Sequence, residues 1–198
     1  MMIEKFLLYF SQRRRQQIPV DKSGKKFAEE EQLRSELFST RQLWHHGKIV
    51  AKAHKISGGR GSNQLLRRLA DNEKVLFEIR NKLTQAVSDN RRVTPAEEWF
   101  LDNFYLIEEQ IRTARRHLPK VYSKELPHLE EGHSAHLPRV YDIALEIISH
   151  GDGRVDSKTL SLFVSSYQTI SELKIGELWA IPIMLRLALI ENIRRIAV

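Results

Sequence analysis

Five carboxylates, Glu97, Glu98, Asp102, Glu108 and Glu109, crowd the stretch TPAEEWFLDNFYLIEEQIRTARRHLP at residues 94–119. Paired carboxylates are the usual apparatus of glycoside hydrolysis, which needs them roughly 5–10 Å apart and facing each other across a cleft. The stretch instead reads as one continuous helix over 94–117. Thr94 is its N-cap, Pro95 sits where a missing N–H costs nothing, and Glu97 completes a capping box. Phe100, Phe104, Ile107 and Ile111 form a core stripe, and Arg112, Arg115, Arg116 and His117 complement the C-terminal dipole. Asp102 and Glu109 share a face about two turns apart, so one helix cannot supply both walls of a cleft. Glu108 and Glu109 stand at ion-pairing spacing to Arg112 and Arg116. The expectation is therefore a brace, with Trp99, Asn103 and Tyr105 packing against or bonding to neighbouring helices.

The remaining polar clusters are no more enzyme-like. His128, His133 and His136 offer two or three imidazoles in a proline-containing connection, but zinc favours three or four preorganised ligands and the chain has no Cys to complete the set. The WHH triplet at 44–46 reads as surface histidine beside a core Trp. DGRVD (152–156) has the middle of a calcium loop. Its alignment puts Ile148, His150 and Thr159 where oxygen ligands and the bidentate Glu belong, so a turn and helix cap account for it better. No nucleophile elbow, dinucleotide fingerprint, phosphate-binding loop or kinase signature is present. No catalytic residue, cofactor site or metal site is expected.

The elements that would position these residues are helical. No alternating stretch is long enough to argue for a strand. Residues 1–28 read as a basic arm without regular period, 29–57 as an N-terminal helix with Leu33, Leu37 and Trp44 on one face, 58–61 as a glycine-rich hinge, and 62–198 as a helical domain. Within that domain a helix is capped by Ser62 and buries Leu69, Leu76, Leu83 and Val87. Residues 118–138 form a long irregular connection. A helix over 139–150 turns Tyr141, Leu145 and Ile148 inward, and Asp156 caps another with Leu160, Phe163 and Tyr167 on its stripe. A last apolar helix runs from about Ile175 to the final residue. The fold class is all-α, about six helices. The helix is cut mid-pattern at IRRIAV, which suggests that the chain continues in its natural context.

Charge is unevenly placed in this chain of net charge +7. Residues 1–68 hold 15 Lys/Arg against 6 Asp/Glu, and residues 69–198 hold 17 against 19. The basic N-terminal third could meet an anionic membrane surface; a nucleic-acid partner lacks any accompanying motif. The most apolar stretch, LWAIPIMLRLALI, is 13 residues long and contains Arg186, short of the roughly 20 a bilayer crossing needs.

Four stretches, LLRRLADNEKVL (65–76), TPAEEWFLDNFYLIEEQI (94–111), PRVYDIALEIISHGDGRVD (138–156) and IGELWAIPIMLRLALIENIRR (175–195), together resemble the N-terminal region of cyclic β-1,2-glucan synthase. LRSELFS (33–39) extends the likeness upstream, and residues 1–28 lie outside it. The resemblance implies a very large bacterial inner-membrane enzyme, in which a membrane-embedded transferase builds a β-1,2 chain from UDP-glucose and a phosphorylase-like domain adjusts its length. The transferase's aspartate motifs and its Gln-x-x-Arg-Trp motif are absent from these residues. One departure stands before GELWA, where Lys174 replaces the usual polar cap, which leaves Ser171 as an alternative start for the last helix.

The resulting expectation is a non-catalytic helical accessory domain at the cytoplasmic face of the inner membrane, docked on the transferase or membrane portion of the same polypeptide. Glu177, Trp179, Arg186, Glu191, Asn192 and Arg194 join Trp99, Asp102, Asn103, Tyr105, Glu108 and Glu109 as candidate structural or docking residues. The alternative is an autonomous helical protein that binds an acidic partner or nucleic acid.

Overall fold

The computed structural model describes residues 37–198, apart from 60, 62 and 152–154 and the side chain of residue 120. The basic arm, Leu33 and the expected Ser62 cap lie outside the described residues. Among the described residues, eight helices carry the fold: α1 (Thr40–Ala53), α2 (Gln64–Ser88), α3 (Pro95–Asp102), α4 (Phe104–His117), α5 (Lys120–Glu125), α6 (Arg139–His150), α7 (Ser157–Gln168) and α8 (Ile175–Ala197). Two short strands, β1 (Ile56–Ser57) and β2 (His128–Leu129), pair antiparallel with Ile56 opposite Leu129. The all-α expectation holds.

The apolar α8 is the hub, and α6, α2 and α4 all pack on it. Leu187, Ile190 and Ile193 of α8 join Leu69 and Leu76 of α2, Ile107 and Ile111 of α4, and Ile143 and Ile147 of α6 in one core. The last part of α2 runs beyond this core, and Val87 is 47% exposed. Helix α1 docks separately, on α7. Gly47 makes that approach possible: a Cβ there would stand 3.0 Å from both the Phe163 carbonyl oxygen and Ser166 Oγ. Ser166 Oγ in turn donates to the Trp44 carbonyl. The face α1 buries is Leu43, Gly47, Val50 and Ala51, one position away from the expected stripe, and Leu37 is exposed.

The single helix expected over 94–117 is two. Asn103 (φ −107°, ψ 9°) interrupts it, and both its backbone N–H (3.0 Å) and its side-chain Nδ2 (2.8 Å) donate to the Trp99 carbonyl. A short amide side chain that satisfies a backbone carbonyl competes with the helical ladder at that point. The capping box at Thr94 and Glu97 forms as expected.

The connection over 118–138 contains α5 and β2 and is closed by tight turns with Gly132 (φ 93°) and His136 (φ 65°) in left-handed backbone. Gly61 beside it has no room for a side chain, since a Cβ would overlap the His128 ring at 1.7 Å. Helix α8 begins at Ile175 and not at Ser171. Glu177 Oε2 accepts the Lys174 backbone N–H at 2.9 Å, which caps the helix there, and Ser171 Oγ is engaged by Arg139 instead.

Candidate functional site

The polar groups that matter most to the interior lie on α8 and its partners. Glu177, 1% exposed, meets Arg139 of α6 in a two-pronged pair, Nε to Oε1 at 2.6 Å and Nη2 to Oε2 at 2.7 Å. Arg139 also donates to Ser171 Oγ at 2.8 Å and to the Glu172 carbonyl at 2.6 Å, with its guanidinium carbon 5.9 Å from the Tyr167 ring centre. The network continues through Tyr167, whose hydroxyl lies 2.9 Å from His54 Nδ1. His54 Nε2 is 2.9 Å from Asp142 Oδ2, and Ser134 Oγ donates to Asp142 Oδ1. Four helices and the long connection are thereby tied together. Burial works against the Arg139 cation, but the Glu177 carboxylate outweighs it and the Arg139 pKa stays above its ordinary value.

A second centre surrounds Glu191, which has no exposed surface. It accepts two guanidinium bonds from Arg68 of α2, two more from Arg195 one turn along α8, and the Tyr141 hydroxyl at 2.5 Å. Burial would push this carboxyl up, yet the Arg68 bonds and charge, with Tyr141 and Arg195, more than offset it and hold the pKa at about 2. Burial and the adjacent Glu191 charge push Tyr141 well above the usual phenol value. A carboxylate so saturated with donors is a poor proton acceptor at neutral pH. Its chemistry is that of a fastener.

Neither centre contains a serine nucleophile beside a histidine base. Ser134 meets Asp142, not His54, so the residue types of a hydrolytic triad are present without the order that activates a hydroxyl. The expected helix carboxylates are not assembled either. Glu108 pairs across helices with Arg80 at 3.6 Å and not with Arg112, while Asp102 and Glu109 are exposed. Arg80 also sits over Phe77 and Phe104, 4.9 and 5.0 Å from their centres. Trp99 is half-buried against the core, whereas Tyr105 is 59% exposed and does not pack as expected. Asn192 and Arg194 are buried.

The loop histidines do not assemble as a set of ligands: His128 is buried, where desolvation pushes its pKa down with a smaller contribution from His136, and His133 and His136 are exposed. Among the described residues the one grouping of three potential ligands is His46, Glu146 and His150, none of which was singled out as a ligand by spacing. Glu146 and His150 stand at i and i+4 on α6, a spacing visible in sequence. Their partner His46 lies 100 positions upstream of Glu146, so no local pattern reveals it.

On the outer side, α8 leaves a stripe without a helix over it. Ile175 is 74% and Trp179 80% exposed, and Pro182 follows at the next turn. The stripe runs into a cavity of about 360 Å³ lined by Ile107, Gln110, Leu160, Pro182, Arg186 and Leu189. Arg186 Nε donates to Gln110 Oε1 at 2.8 Å on its wall.

This helical assembly is similar to part of a much longer protein. Over 182 residues, 91% of this chain, it is 32% identical to cyclic beta-(1,2)-glucan synthase NdvB of Rhizobium meliloti (strain 1021). The resemblance read from the sequence motifs is thus borne out, and the chain is related to a segment of that synthase. It spans about 6% of the relative's length. No protein-family model matches the chain. No helix among the described residues is long and apolar enough to cross a membrane.

Proposed function

We propose that this chain is a non-catalytic helical accessory domain of a cyclic β-1,2-glucan synthase and docks through the outer stripe of α8 on the transferase or membrane portion. The observation that carries this is the exposed Ile175–Trp179–Pro182 line continuing into the cavity beside Arg186. A Trp with four-fifths of its surface in water is uncommon on a folded domain, and exposed aromatic groups with an adjoining Arg are typical of interface anchors. The matched relative is far longer than this chain, so it has ample polypeptide to cover such a face. The buried carboxylates support a bracing role, since each is enclosed by its donors. Docking at the cytoplasmic face of the inner membrane belongs to the same reading, with the basic N-terminal third directed to anionic lipid.

The test uses membranes that carry a cyclic β-1,2-glucan synthase lacking the matching segment. The purified chain is expected to sediment with them, and Trp179→Asp to abolish that while leaving the circular-dichroism spectrum unchanged. Equal recovery of both proteins would remove the α8 stripe as the docking face. Failure of the parent chain to bind would remove the accessory reading and favour an autonomous binding protein. Glucan made from UDP-glucose by the purified chain alone would overturn the non-catalytic assignment.

A further inference from the structure

The three side chains His46, Glu146 and His150 sit where α1 crosses the C-terminal end of α6, and neither bracing centre uses them. Their potential ligand atoms all lie within 4.8 Å of one another. His46 Nε2 is 2.7 Å and His150 Nε2 3.5 Å from Glu146 Oε2. We propose that His46, Glu146 and His150 form a binding site for a divalent transition metal of the zinc type, with two imidazoles and one carboxylate as ligands and a fourth position open to solvent.

The geometry fits that ion. Zinc binds nitrogen and carboxylate oxygen at about 2.0–2.2 Å in a tetrahedron, which puts neighbouring ligand atoms roughly 3.3–3.6 Å apart. The observed separations bracket this value, so side-chain rotations that shift each atom by about 1 Å admit the ion without moving either helix. Two histidines and one carboxylate are a recurrent donor set for zinc sites that keep a position free. Calcium and magnesium are the wrong class, since they favour all-oxygen cages.

The surroundings favour a cation as well. His150 is the last residue of α6, where the unsatisfied carbonyls of the helix end attract positive charge. One side of the site is apolar: Phe38 stacks on the His150 ring at 3.8 Å, and Phe163 lies 6.0 Å from the His46 ring. The other side is wet, with the side chains of His46 and Glu146 20% and 32% exposed. Such an apolar backing orients the imidazoles and limits water to the open position. A bound ion would add a clamp between α1 and α6, beside the apolar packing of Leu43, Val50 and Ala51.

The full chain is titrated with zinc chloride by calorimetry in chelator-free buffer at neutral pH, and its melting temperature is followed in parallel. The expected result is one ion per chain, a melting temperature that rises with zinc, and affinity weakened by more than about 100-fold in His150→Gln. His133→Gln/His136→Gln, which removes two exposed loop histidines, is expected to bind as the parent does. No zinc binding by the parent chain, or unchanged binding by folded His150→Gln, overturns the site and leaves a plain His–Glu hydrogen bond. Should His150→Gln not fold, cobalt(II) on the parent chain decides: visible bands of tetrahedral intensity support the site, and an octahedral hexaaqua spectrum overturns it.

Discussion

Helix α8 and the segment formed by α3 and α4 carry the same acidic side chains in opposite surroundings. On α8, Glu177 and Glu191 are sealed from water and saturated by arginine, tyrosine and backbone donors. On α3 and α4, Glu98, Asp102 and Glu109 are exposed, and Glu108 reaches Arg80 only at 3.6 Å with a third of its side chain in solvent. A buried ion left without its partner is costly, whereas an exposed pair contributes about 0–1 kcal/mol. The lesson is that a helix rich in acidic residues need not be the helix whose acidic residues hold the fold. In this chain the apolar helix, with few acids, has that role.

Removing one member of a buried pair should separate the two regions most sharply. Glu177→Ala or Glu191→Ala is expected to destabilise by about 3–5 kcal/mol in urea unfolding, because Arg139 or Arg68 and Arg195 would lose their counter-charge. Arg139→Met combined with Glu177→Leu should cost clearly less than the two single changes together, which identifies the penalty as the stranded charge. Equal effects for Glu191→Ala and Glu109→Ala would erase the contrast.

Acid offers the next test. The Glu191 pKa is lowered from 4.5 to about 2 in the fold. A depressed carboxyl contributes stability that is fully present above its unfolded value and is lost as pH falls through the folded one. Roughly 3 kcal/mol should therefore disappear between about pH 4.5 and pH 2. That fall should be smaller in Glu191→Gln, as followed by urea midpoints across the range.

Smaller effects sharpen the picture on the other side. Trp99→Ala is expected to cost about 1–2 kcal/mol, below the about 3–5 of a fully buried aromatic ring, because the indole is only partly covered. Tyr141→Phe removes the hydroxyl bond to Glu191 and should cost about 1–2 kcal/mol. Glu109→Ala and Asp102→Ala should lie within about 0.5 kcal/mol of the parent.

Much of the helical order was legible from residue patterns. The caps at Thr94 and Asp156, the extent of α6, and the start of a long apolar helix at Ile175 all follow from local spacing. The break at Asn103 was not legible, since an Asn in a well-patterned helix gives no sign that its amide will take the Trp99 carbonyl. The cap of α8 was less readable than its start. Glu177 supplies the reciprocal half of a capping box although Lys174 offers no side-chain acceptor. The candidate residues divide in the same way. Trp179 and Glu177 are two positions apart on one helix, yet one is four-fifths exposed and the other buried.

The sequence by itself determined the all-α class, most helix positions and the relation to a segment of the glucan synthase, because capping, apolar periodicity and motif likeness are local properties of the chain. Tertiary structure alone decided which charges are enclosed, which face of α1 packs, and that His46 meets Glu146 and His150. Those outcomes depend on contacts between residues far apart in the chain, such as Arg139 reaching Glu177 across 38 positions, His46 reaching Glu146 across 100 and Arg68 reaching Glu191 across 123. Burial and charge pairing arise only when helices meet, and no one-dimensional pattern records which helices those will be.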